Sequence, residues 1–219
     1  MLMQGCLFLF GKKKNVEKRI LEEAKALRDL IELTGDRQLN TQAVREALRK
    51  IADNVSKLSD IERDRLARKV DELFEEKIAI LRGWRESNIR KIKSMLKELR
   101  LSKKIPQVKF NRVRMLDSQI KLYDAQLMVL ENLRDILVDT IQRGVDPVTA
   151  WNRVMRSSTV VSEFVETLAE HAEAYEELMG EGVSEEALET LEEEYGVKEP
   201  EEVARKELKK LMEKYGVEE

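Results

Sequence analysis

In residues 110–143 the apolar side chains Val113, Leu116, Ile120, Tyr123, Leu127, Leu130, Leu137 and Ile141 recur in steps of three and four, interrupted once at Arg134. This spacing turns one face of an α-helix toward another helix. No Pro or Gly occurs in the stretch until Gly144. At 1.5 Å per residue it predicts a rod of roughly 50 Å. Residues 59–101 carry a similar stripe at Leu66, Val70, Leu73, Ile80, Trp84, Ile92, Met95 and Leu99. A short connection, 102–108, separates the two, and its Pro106 disfavours helix at the residue before it. The pattern predicts an all-α fold: a long antiparallel helical hairpin, with additional N-terminal helices and short acidic C-terminal helices.

The remaining elements follow from the same periodicity and from cap signals. Residues 15–33 read as an amphipathic helix with Val16, Ile20, Ala24, Leu27 and Ile31 on one face, Asn15 as its N-cap and Gly35 at its C-terminal end. A second helix begins near Asn40 or Thr41 and carries Val44, Leu48, Ile51, Val55 and Leu58. Ser59 and Glu62 have the spacing of a capping box, so residues 41–101 form either two helices or one kinked helix. Gly83, inside an arm of the hairpin, predicts close packing of another helix. Asp146 and Pro147 read as an N-cap and a first helical residue. The helix they open is expected to reach about Met179, with a weak point at 156–161, where Ser, Thr and Val cluster. A short acidic helix at 185–195 and a last helix after Pro200, ending near Tyr215, complete the chain. Tyr-Gly-Val occurs at 195–197 and 215–217 and reads both times as a helix C-cap.

Composition agrees with this picture and adds a charge split. Of the 219 residues 38% are charged and 5% aromatic, with three Pro and nine Gly. Such a chain buries stripes along helices and solvates the rest. The length suits one or two domains. The single cysteine, Cys6, excludes an internal disulfide framework and fits a reducing cytosol. A transmembrane helix would need about 18 consecutive apolar residues, and no run approaches that. A secretory signal is not expected, because the charges follow the apolar start of the chain instead of preceding it. The formal net charge of −3 hides an asymmetry. Residues 82–114 hold twelve Lys or Arg against two Glu, whereas residues 163–219 hold twenty Glu against six Lys or Arg. The hairpin tip calls for an anionic partner, and the acidic tail either solvates the chain or masks that tip.

Little in the sequence supports catalysis. There is no Gly-rich phosphate loop and no nucleophile elbow. The only histidine, His171, stands beside Glu170, Glu173 and Glu176. A helical di-iron site would need a second such motif, so a solvated acidic face is the expectation. Neither enzyme activity nor a cofactor nor a metal is predicted. The N-terminal segment is more informative. Leu7, Phe8, Leu9 and Phe10 precede Lys12, Lys13 and Lys14. The apolar four would enter a bilayer interface while the lysines stay at anionic headgroups, or they would be buried against protein.

This layout resembles that of ESCRT-III proteins, the archaeal CdvB-like members included. The resembling features are the apolar N-terminus running into Leu9-Phe10-Gly11-Lys12-Lys13-Lys14, the basic hairpin and the acidic tail of short helices. The best local match covers residues 114–194. It runs from the Gln-studded helix at 115–128, through Val154 and Met155, to Gly182-Val-Ser-Glu-Glu-Ala-Leu-Glu-Thr-Leu-Glu192. The resemblance implies a cytoplasmic, peripheral membrane protein that polymerises with itself, binds anionic membrane through a basic face, and remodels or severs it in cell division or vesiculation. It also implies an AAA ATPase that grips a C-terminal helix with spaced leucines, here Leu208 and Leu211. Ala204 and Glu207 depart from that pattern. Membrane-binding residues are then expected at Leu7, Phe8, Leu9, Phe10, Lys12, Lys13, Lys14, Arg90, Lys91, Lys93, Lys97, Lys103 and Lys104. The corresponding domains are an apolar and basic segment at 1–14, a hairpin core at 15–162 and an acidic region at 163–219. Two other readings compete: a helical coat protein that binds nucleic acid without sequence preference, and a coiled-coil adaptor whose charges are solvated faces.

Overall fold

In the computed structural model, backbone is described for residues 3–32, 41–157 and 201–217, and side chains for 16–31, 41–155 and 202–217. These residues form six helices: α1 (Met3–Glu32), α2 (Thr41–Val55), α3 (Asp60–Arg100), α4 (Gln107–Arg143), α5 (Pro147–Ser157) and α6 (Glu201–Tyr215). The fold is all-α, and α3 and α4 form the long hairpin. No helix among the described residues is long and apolar enough to cross a membrane.

Several boundaries follow from cap chemistry. α2 and α3 are separate helices, because a capping box restarts the chain at Ser59. The Glu62 carboxylate accepts from the Ser59 backbone N–H at 2.9 Å and from its hydroxyl at 2.6 Å. Asp146 caps α5 by accepting from the N–H of Thr149 at 3.0 Å, and α4 stops at Gly144, whose φ is +69°. The last helix ends in a Schellman motif. Gly216 has φ +62°, Val217 N–H donates to the Met212 carbonyl at 2.9 Å and Gly216 N–H to that of Glu213 at 3.2 Å.

α1 departs from the sequence expectation. It is continuous from Met3, so Asn15 lies inside the helix instead of at its start. Gly5 and Gly11 each cost about 1 kcal/mol relative to Ala. Extending a helix that already has a nucleus nevertheless adds a hydrogen bond per residue, and the neighbouring Leu, Gln and Lys are good helix formers. The expected cap at Gly35, the helix beyond Ser157, the acidic helix and the first Tyr-Gly-Val lie outside the described residues.

The chain divides into two compact units, Met1–Leu81 with Ala125–Leu168, and Arg82–Asp124 with Ala169–Glu219. In the first, α2 packs against α1 and α5. Ile20, Ala24, Leu27 and Ile31 of α1 and Val44, Leu48, Ile51 and Val55 of α2 are buried, as their spacing predicts. α4 contributes two stripes here. Leu127, Leu130, Leu137 and Ile141 form the expected one, and Ala125, Val129, Leu133, Ile136 and Thr140 are buried beside them. Arg134, the break in the stripe, pairs with Glu75 and lies 3.8 Å from Asp71, both on α3.

The second unit holds the turn of the hairpin. Ile92, Leu96 and Leu99 of α3, Ile105 of the turn and Phe110, Val113, Leu116 and Ile120 of α4 share one core with Ala204, Leu208, Leu211, Met212, Tyr215 and Val217 of the C-terminal segment. The antiparallel register is fixed by polar pairs. Lys109 pairs with Glu98, Asn88 Nδ2 donates to Gln119 Oε1 at 3.0 Å, and Arg85 pairs with Asp124.

Candidate functional site: the basic face of the hairpin tip

The twelve cations of residues 82–114 divide by what their side chains meet. Arg85 pairs with Asp124, Lys109 with Glu98 and Arg114 with Glu207. Arg82, Arg100 and Arg112 are engaged as well. The other six, Arg90, Lys91, Lys93, Lys97, Lys103 and Lys104, are all exposed. None of the six has a side-chain ion pair or hydrogen bond among the described residues. They are the hairpin residues that the sequence assigns to an anionic surface.

Their placement follows from helix geometry. The core of α3 in this unit runs through Ile92, Leu96 and Leu99. At 100° per residue, Arg90, Lys93 and Lys97 fall on one line along the helix, turned away from that core. Lys91 lies about a quarter turn further round and lines a groove of about 720 Å³ with Met95, Val108, Arg112, Met115 and Gln119. Lys103 and Lys104 extend the positive surface into the turn. Six like charges with no carboxylate paired to them among the described residues form a field that attracts an anionic surface, an attraction that salt weakens.

α6 closes the other side of the tip. Ala204 is fully buried, and Leu208 and Leu211 are 6% and 7% exposed. The two leucines assigned to an ATPase are therefore core residues here. Ala204, standing where the resemblance expects a leucine, lets α6 sit close to the hairpin, and Glu207, standing where a basic residue is expected, binds Arg114 with Nε–Oε1 at 2.9 Å. Lys214 pairs with Asp117 at 2.6 Å, and the Tyr215 hydroxyl donates to the same carboxylate. Burial, and then that Asp117 bond, push the Tyr215 pKa far above its ordinary value. Arg205 donates to the Lys103 carbonyl at 2.6 Å. α6 itself carries four Glu against five Lys or Arg, so apolar contact and individual pairs seat it. The bulk of the acidic tail lies at 163–199, outside the described residues.

Two sequence expectations are revised here. Ile80 and Trp84 do not lie on the buried stripe; they are 42% and 48% exposed. The stripe runs instead through Phe74, Lys77, Ile78, Leu81, Asn88 and Ile92, and the polar Lys77 and Asn88 hide it from a hydrophobic count. Gly83 accommodates no neighbouring helix, since a Cβ there would meet no atom within 4 Å. The side chains of Leu7, Phe8, Leu9, Phe10, Lys12, Lys13 and Lys14 lie outside the described set, although their backbone is part of α1. His171 and its glutamates are also outside it, and no metal-binding cluster occurs among the described residues. The signal that sequence reasoning missed is Leu101 in the turn, which is 77% exposed.

No family model, curated protein or solved structure matches the chain.

Proposed function

We propose that this chain is a non-catalytic, filament-forming scaffold of the ESCRT-III-like kind that binds anionic membrane through the basic face of its hairpin tip and remodels it. The observation that carries membrane binding is the set of six exposed cations with no partner among the described residues, Arg90, Lys91, Lys93, Lys97, Lys103 and Lys104. Each basic residue near an anionic bilayer contributes about 1 kcal/mol, so six on one hairpin end suffice for measurable binding at physiological salt. Lys12, Lys13 and Lys14, with the apolar residues 7–10, would supply a second attachment, and stable anchoring takes two signals. Self-assembly and remodelling rest on the resemblance in layout. An AAA ATPase gripping Leu208 and Leu211 would meet them only after α6 leaves the hairpin, since both are buried against it.

The test is co-sedimentation with vesicles containing phosphatidylserine, compared with phosphatidylcholine alone, followed by negative-stain imaging. Binding to the anionic vesicles only, together with filaments on their surface, is the expected outcome. Replacement of the six cations by Ala with undiminished binding would remove the basic face from the account. A gel shift with double-stranded DNA, stronger than the vesicle binding and equally dependent on the six, would favour a nucleic-acid coat instead.

A further inference from the structure

We infer that the turn of the hairpin inserts end-on into the bilayer interface, with Leu101 as its apolar anchor; this rests on the membrane reading above. The apolar residues that flank the turn are buried or half-buried: Leu99 is 1% exposed, Ile105 7% and Phe110 fully buried, with Met95 and Val108 half-buried. Leu101 stands out at 77%. Its exposure belongs to a pinned turn. Leu101 N–H donates to the Glu98 carbonyl at 3.2 Å and Ser102 N–H to that of Leu99 at 3.1 Å, which extends the end of α3. Ile105 plugs the core from the other side of the turn. Arg205 donates to the Lys103 carbonyl at 2.6 Å, holding the turn's backbone while leaving the lysine side chain in solvent.

An exposed leucine held by a hydrogen-bonded turn loses little conformational freedom on docking, so its burial is not offset by an ordering cost. Its neighbours select the partner. Around it Lys97, Lys103 and Lys104 are exposed and have no partner among the described residues. A shallow apolar anchor ringed by cations matches an anionic lipid interface, where leucine enters the acyl boundary and the ammonium groups stay at the phosphates.

The lone native cysteine makes the test direct. In a Cys6→Ser, Leu101→Cys variant, the introduced thiol carries an environment-sensitive fluorophore such as NBD. Phosphatidylserine-containing vesicles should raise and blue-shift its emission, and lipids brominated near the headgroup should quench it. Vesicles of phosphatidylcholine alone should do neither. Leu101→Asp in the unlabelled protein should weaken anionic-vesicle binding about tenfold while leaving the melting temperature unchanged. Pelleting with vesicles while the fluorophore at 101 stays in water would overturn tip insertion and leave the membrane reading standing. Absence of pelleting altogether would overturn both. Leu101→Asp binding as tightly as the parent would overturn the anchor.

Discussion

At the residue scale, small groups at defined positions settle boundaries and contacts that the hydrophobic pattern leaves open. Asp146 is one. Its carboxylate is held below the usual range first by the Thr149 side chain and then by the backbone N–H groups of Thr149 and Val148. A depressed folded pKa adds stability above the unfolded carboxylate value, and that stability is lost as pH falls through the folded one. Asp146→Ala should cost about 1 kcal/mol at neutral pH, and Asp146→Asn much less, because Asn caps equally well. Thermal melts from pH 7 down to pH 2.5 check this: the gap between the parent and the Ala variant should narrow at the acid end, while the Asn variant, which does not titrate, keeps its cap. Ala204 is the second such residue. It is fully buried where α6 meets the hairpin, so Ala204→Leu should overpack the contact by about 1–3 kcal/mol. Faster proteolysis within α6 than in the parent is the expected readout. The caps at Ser59, Asp146 and Gly216 were legible because capping chemistry is local. The burial of Ala204 was not, because it depends on a partner about a hundred residues away in sequence.

At the scale of the element, α3 shows how a periodic reading is misled. A count of apolar residues places Ile80 and Trp84 on the inner face, yet both are well exposed. The inner face at those turns is filled by Lys77, by Leu81 and by Asn88, whose amide reaches Gln119. A buried amide with its hydrogen bond made is inexpensive, and nothing in a hydropathy pattern marks it. In α4 the single expected stripe became two, because the helix packs on more than one neighbour in its unit. Gly83 is the informative misreading. Nothing approaches it, so it bears the helix cost of glycine without a packing gain within the chain. Gly83→Ala should therefore stabilise α3 by up to about 1 kcal/mol. A melting temperature higher by roughly 2–4 °C is the matching result. A lower one would mean that a bend or a close approach at this position matters to the folded chain.

For the whole molecule, the all-α class, the hairpin and the location of its basic end were legible in the sequence, since periodicity and charge clustering are properties of the chain itself. What was not legible is which cations remain available. Six of the twelve near the tip are engaged, among them Arg114 by Glu207 of a distant helix, and that pairing exists only once α6 has docked. The six that have no partner among the described residues are the basis of the membrane reading. Its most direct test is anionic-vesicle co-sedimentation at physiological salt of the full chain beside a variant with Arg90, Lys91, Lys93, Lys97, Lys103 and Lys104 replaced by Ala. The account predicts that the parent pellets with phosphatidylserine vesicles and that the variant, folded with an unchanged helical spectrum, stays in the supernatant. Equal pelleting of the two would contradict it.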